Sequence, residues 1–311
     1  MKKSLFALLA LSAVATAQAQ SSVTVYGVVD VGFAKQTGKK LIQRENHASR
    51  LGFRGVEDLG NGLSAVFTLE NEFLLDSGAQ KGVLWERQAN VGLTGAFGTA
   101  LFGRTKNLVD SVQSKVEPFG ADGVIGKVNE PMMRVGVSSS RVSNSVTYHS
   151  PKTAGFTGSM QYVLSEIDGA SNGVSVLGQY DQGPVFAYVG FEKAAEKAAG
   201  TEQPSMWTAG GYYKFGALRL SGQYAQGDNE AAAGEFTGML LGAVYTVGKG
   251  DFKAVISKQK QEAATFEKTT VREVGVGYDY HMSKRTDLYA YAGRERVSGV
   301  TSYQMGISHK F

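Results

Sequence analysis

Four histidines, His47, His149, His281 and His309, are the side chains best suited to move protons or bind a metal, and they are far apart in the chain. None has a second ligand at metal-binding spacing. Cysteine is absent, which removes disulfides, thiolate nucleophiles and sulfur-ligated metals. No Gly-x-Ser-x-Gly elbow occurs, and the 40 glycines are spread through the chain rather than gathered into a phosphate cradle. No catalytic residue, cofactor or metal site is therefore expected. The charged residues are more informative. Residues 105–140 hold Lys106, Lys115, Lys127 and Arg134 beside Asp110, Glu117, Asp122 and Glu130. That balance has no net sign, so its chemistry depends on where each charge is placed.

The start of the chain reads as a targeting segment. Lys2 and Lys3 precede an apolar run over 5–15, and Ala17-Gln18-Ala19 is an A-x-A cleavage site. Residues 1–19 are expected to be a cleaved signal peptide, leaving one domain over 20–311. Loss of the two lysines lowers the formal charge from +4 to +2. With no Lys/Arg-rich run, nucleic-acid binding is not expected.

The elements that position these charges are strands. Phe156, Gly158, Met160, Tyr162 and Leu164 alternate with polar neighbours. So do Leu218, Leu220, Gly222 and Tyr224; Val274, Val276, Tyr278 and Tyr280; and Tyr303, Met305 and Ile307. Period-two alternation over about ten residues, repeated along an exported chain, marks a membrane-spanning barrel. Only helices and closed barrels cross lipid, because every backbone polar group must be satisfied internally. The stretches 187–192 and 288–294 carry aromatics on both faces and leave their orientation open.

Seven short turns alternate with eight longer polar connections: 35–49, 73–83, 105–140, 165–173, 193–204, 226–235, 260–270 and 297–302. This count requires sixteen antiparallel strands. All five prolines fall in connections. Barrels of about this size enclose water rather than a packed interior. Phe156, Tyr180, Phe215, Phe252 and Tyr280, near the short turns, suit an interfacial aromatic girdle. The long connection 105–140 is too long to be structureless without purpose, and its position after the fifth strand favours a loop folded into the lumen over an exposed surface loop. The expected fold is thus all-β, a sixteen-stranded transmembrane barrel with an inward-folded third loop.

Particular motifs resemble the general porins of Gram-negative bacteria, β-proteobacterial type. They include Ser22-Val23-Thr24-Val25-Tyr26-Gly27 and Ser49-Arg50-Leu51-Gly52-Phe53-Arg54-Gly55 with Glu57-Asp58-Leu59-Gly60-Asn61-Gly62. Arg87-Gln88-Ala89-Asn90-Val91-Gly92-Leu93, Phe102-Gly103-Arg104, and Arg141 with Asn144-Ser145-Val146-Thr147-Tyr148 follow in order. Ser283-Lys284-Arg285-Thr286 and the terminal Phe311 complete the set. The resemblance implies a homotrimer in the outer membrane. Its partners would be outer-membrane lipid, lipopolysaccharide, the barrel-assembly machinery, and small hydrophilic solutes and anions. It also implies a pore constriction in which Arg50, Arg87 and Arg141, with Arg104 as a neighbour, form a basic wall. Glu117 and Asp122, near Pro118-Phe119-Gly120, would supply the acidic side, with Glu70 close to the cluster. Phe311 would be the assembly signal.

Such opposed charges set a transverse field in a wet passage. The expected function is passive diffusion of small hydrophilic solutes and ions with a moderate anion preference. A substrate-specific channel, a barrel enzyme of phospholipase type and a closed adhesin barrel are the alternatives. Conductance separates a channel from the last two.

Overall fold

The computed structural model describes residues 21–120, 122–126, 139–229, 234–263 and 266–311. The expected signal peptide, and Lys127, Glu130, Pro131 and Arg134 of the long loop, lie outside the described residues.

Sixteen antiparallel strands form one closed sheet. They are β1 (Ser22–Gln36), β2 (Arg50–Gly60), β3 (Leu63–Glu72), β4 (Gln88–Gly95), β5 (Gly98–Lys106), β6 (Arg141–His149), β7 (Phe156–Val163) and β8 (Gly173–Gln182). Then follow β9 (Val185–Lys193), β10 (Ser205–Phe215), β11 (Leu218–Asn229), β12 (Gly234–Val247), β13 (Gly250–Ala263), β14 (Phe266–His281), β15 (Thr286–Glu295) and β16 (Thr301–Lys310). Each pairs with its sequence neighbour. Closure comes from β1, which divides its hydrogen bonds: its first half pairs with β2, from Ser22↔Val56 to Val28↔Arg50, and its second half with β16, from Val28↔Lys310 to Gln36↔Ser302. Where the first connection leaves β1, a two-residue ladder at Ile42–Gln43 pairs with Phe33 and Ala34. The polar stretches 226–235 and 260–270, expected as loops, are mostly strand instead, since β11 runs to Asn229, β12 starts at Gly234, β13 runs to Ala263 and β14 starts at Phe266. In those stretches the cross-strand ladder continues through polar residues that carry no apolar alternation.

The outer face is apolar and exposed: Phe156, Met160 and Tyr162 on β7, Val176 on β8, Val189 and Phe191 on β9, Tyr303, Met305 and Ile307 on β16. Around the short turns, tilted ring pairs join Phe156 to Tyr180 at 4.8 Å, Tyr213 to Phe215 at 4.3 Å and Phe252 to Tyr278 at 4.7 Å. This is an aromatic belt of the kind that seats a barrel at the lipid–water boundary. Among the described residues no helix is long and apolar enough to cross a membrane.

The lumen is not uniformly polar. Helix α1 (Leu108–Val116) opens the third loop and lies inside the barrel against β7 to β11. It forms because Asn107 caps it, accepting from the Asp110 N–H at 3.1 Å. Leu108, Val109, Val112 and Val116 give it one apolar side. Leu108, Val112 and Val116 pack on Leu177, Phe186 and Tyr188 of the inner wall. The loop then crosses the lumen. Phe119, Val124 and Ile125 are buried among Met206, Phe236, Leu240, Val255, Tyr289 and Tyr291. Glycines on the inner wall let it approach: a Cβ at Gly277 would lie 2.7 Å from the Phe119 ring, and one at Gly275 2.6 Å from Ile125. The inward aromatics of 187–192 and 288–294 are thus the floor on which the loop rests.

Candidate pore constriction

The loop leaves a passage of about 510 Å³ along the wall that it does not cover. On one side this passage is lined by Arg87, Arg104, Lys106 and Arg141, where β4, β5 and β6 meet. Asp122 of the third loop, Asp30 of β1, and Glu45 and Asn46 of the first connection line it as well.

Arg87 is the most constrained cation. Its Nε donates to Glu70 Oε1 at 2.6 Å and its Nη1 to Glu72 Oε2 at 2.6 Å. Lys81 also bonds Glu72, and Tyr26 donates to Glu70 Oε2 at 2.9 Å. Arg50 lies 3.8 Å from Glu70 and donates to the Ala48 carbonyl at 3.0 Å. Arg50 and Glu70 do not line the passage. Glu70 therefore sits on the basic wall as its counter-ion, not opposite it.

Arg104 reaches the lumen through a bulge. Strict alternation would set it on the outer face beside Phe102. The β5–β6 register shifts between Gly103 and Thr105, and Gly103 takes a φ of 116°, a device that re-aims a side chain. Its guanidinium then has only neutral partners among the described residues, the Glu86 carbonyl and Ser143 Oγ at 2.7 Å. Arg141 Nε is buried without a hydrogen-bond partner among the described residues. Lys106 lies 3.6 Å from Asp110 and donates to Ser114 Oγ at 3.1 Å.

The two loop acids part company. Asp122 lines the passage and meets His47 of the first connection at 3.4 Å. Glu117 follows the helix, is buried, and accepts the Phe119 N–H at 2.7 Å. It is not on the passage lining, and among the described residues it acts on Arg219 rather than on the arginine row. The reason is the helix, which carries Glu117 round to the β11 side of the lumen. Burial pushes the Glu45 carboxyl above its ordinary range, against hydrogen bonds from Ser49 that act the other way. Lys106 and Asp110, treated in the sequence only as balanced loop charge, line the passage too. The cap Asn107 three residues before Asp110, ahead of an apolar helical stripe, was the signal that placed them.

A closed barrel with an apolar outside and a charged lumen narrowed by its own loop is a membrane channel. The chain belongs to the Gram-negative porin family, whose family model matches residues 5–299. It is 30% identical to outer membrane porin protein 32 of Delftia acidovorans, with all of both chains covered. It is 29% identical to an outer membrane porin protein of Bordetella pertussis, again over all of both. The solved anion-selective porin from Comamonas acidovorans matches 94% of this chain and 100% of its own, with a TM-score of 0.80 and 27% identity. The protein is an outer-membrane porin for passive diffusion of small hydrophilic solutes.

Proposed function

We propose that this porin passes anions in moderate preference to cations and carries no enzymatic activity. The observation that carries the reading is the pairing of charge along the passage. Arg87 is matched by two carboxylates, whereas the Arg104 and Arg141 guanidinium groups have no carboxylate in salt-bridge contact among the described residues. An ion in the passage is nearer to these charges than the roughly 10 Å over which 0.1 M salt screens. The solved relative described as anion-selective supports the same sign. In a potassium chloride gradient across a planar bilayer, the reversal potential should take the sign of chloride permeation. A potential of the potassium sign would overturn the reading.

The assembly partners follow from the same reading. The chain is exported after cleavage behind Ala19 and works as a homotrimer, with Val23, Val25, Val29 and Val31 of β1 as part of the contact; in the single chain Val23 and Val25 are exposed and Val29 and Val31 half-buried. Lipopolysaccharide surrounds its outer rim, and the barrel-assembly machinery recognises the last strand. Phe311 exchanges two backbone hydrogen bonds with Gly27, each of 3.2 Å. Its ring lies where a Gly27 side chain would stand, 2.8 Å from the ideal Cβ position at one ring carbon. Deleting Phe311 should lower the amount of assembled protein in the outer membrane several-fold, measured by heat-modifiable mobility. An unchanged yield would remove Phe311 from assembly.

A further inference from the structure

We propose that a second anion site lies below the constriction, on the side of the short turns, and that it recognises flat aromatic carboxylates. Arg219, Tyr212, Phe186, Lys214 and Lys115 form it. The inference rests on the chain being a channel but not on the sign of its ion preference.

All five side chains reach the same part of the lumen. Arg219 is the first inward residue of β11 after the turn at 216–217, and it pairs in register with Lys214 at the end of β10. The arginine row stands toward the opposite ends of β5 and β6, where Lys106 pairs with Arg141. The Arg219 guanidinium lies 5.2 Å from the Tyr212 ring centre and Lys214 Nζ lies 5.5 Å from it. Tyr212 and Phe186 are stacked at 5.2 Å with 29° between their planes. Lys115, from the last turn of α1, sits 3.8 Å from the Phe186 ring centre. Three cations thus meet two stacked rings.

The cluster has charge to spare. Lys115 is paired with Asp181 at 2.7 Å, and Glu117 and Asp251 are the acids that act on Arg219 from a distance. Among the described residues Arg219 has no carboxylate in salt-bridge contact, and its buried Nε has no hydrogen-bond partner. Lys214 is exposed and, among the described residues, has no salt-bridge partner. The barrel's packing does not require this arrangement, because an inward residue next to a turn is free to be small and polar. A planar guanidinium laid on an aromatic ring can take a carboxylate edge-on while its other face remains available to a flat ring. A ligand with both a carboxylate and an aromatic ring fits both parts. A saturated ring with the same charge fits only the cations.

The test uses the purified mature porin in planar bilayers, with sodium benzoate or sodium cyclohexanecarboxylate added to both sides in potassium chloride. Benzoate should reduce the current at a several-fold lower concentration than cyclohexanecarboxylate. Tyr212→Leu and Arg219→Gln should each raise the benzoate concentration for half block several-fold and bring the two compounds together. Should Arg219→Gln yield no channels, Lys214→Gln with Tyr212→Leu gives the same comparison. Equal block by the two compounds in the unaltered porin, or benzoate block unchanged in these variants, would overturn the site. The reversal potential on the same membranes reads the anion preference separately, so either conclusion can fail alone.

Discussion

Changing Arg104 and Arg141 together to glutamine should cut the chloride-to-potassium permeability ratio several-fold while leaving the barrel as stable as before. Each guanidinium acts on a passing ion on the scale of about 1 kcal/mol in a partly screened site, and none of their contacts closes a buried ion pair. Arg87→Gln should behave differently. It takes the shared guanidinium from Glu70 and Glu72, whose side chains are 6% and 7% exposed, and leaves Glu70 to Tyr26 and Arg50 and Glu72 to Lys81. Removing one member of a buried pair costs about 3–5 kcal/mol. Thermal unfolding followed by heat-modifiable mobility, combined with reversal potentials, separates the two behaviours. A larger selectivity shift from Arg87→Gln than from the Arg104/Arg141 pair, without loss of stability, would refute this division of labour.

Releasing the third loop should have the largest effect on conductance. Phe119→Ala removes a ring that is fully buried and packs edge-on against Tyr291 at 5.1 Å. Large-to-small changes of this kind cost roughly 3–5 kcal/mol, here charged against docking of the loop tip rather than against the wall. Gly277→Leu attacks the same contact from the wall, since its Cβ would meet the Phe119 ring and Tyr291. Both variants should give assembled channels with raised single-channel conductance and weaker ion preference, and they should not add when combined. Unchanged conductance in both would show that the tip does not set the width of the pore.

Much of this was legible in the residues. The strand count came from turns and alternation, because each outward face had to be apolar where it met lipid. The basic row came from motifs rather than from alternation, and alternation alone would have set Arg104 outside. A bulge is a local backbone event with little signature beyond Gly103 itself. The aromatics at Tyr188, Tyr289 and Tyr291 obscured the pattern because their partner is a loop, not a neighbouring strand. Inner apolar residues in a lumen are the mark of something resting there. The placement of Glu117 was not legible either, since it depends on the turns of α1 and on which wall that helix leans.

The resting place of the third loop is made of chain that comes after it. Helix α1 leans on β7 to β11, Pro118 meets Gly242 of β12, Phe119 and Ile125 meet glycines of β14 and β15, and the Val124 N–H reaches Gln304 of β16 at 2.9 Å. Contacts so distant in sequence form late, because closing long loops must precede any gain from them. The loop tip takes its last contact only when β16 is in place. The pore is therefore born wide and narrows as the final act of folding, so a barrel stalled just short of completion leaks more than a finished one.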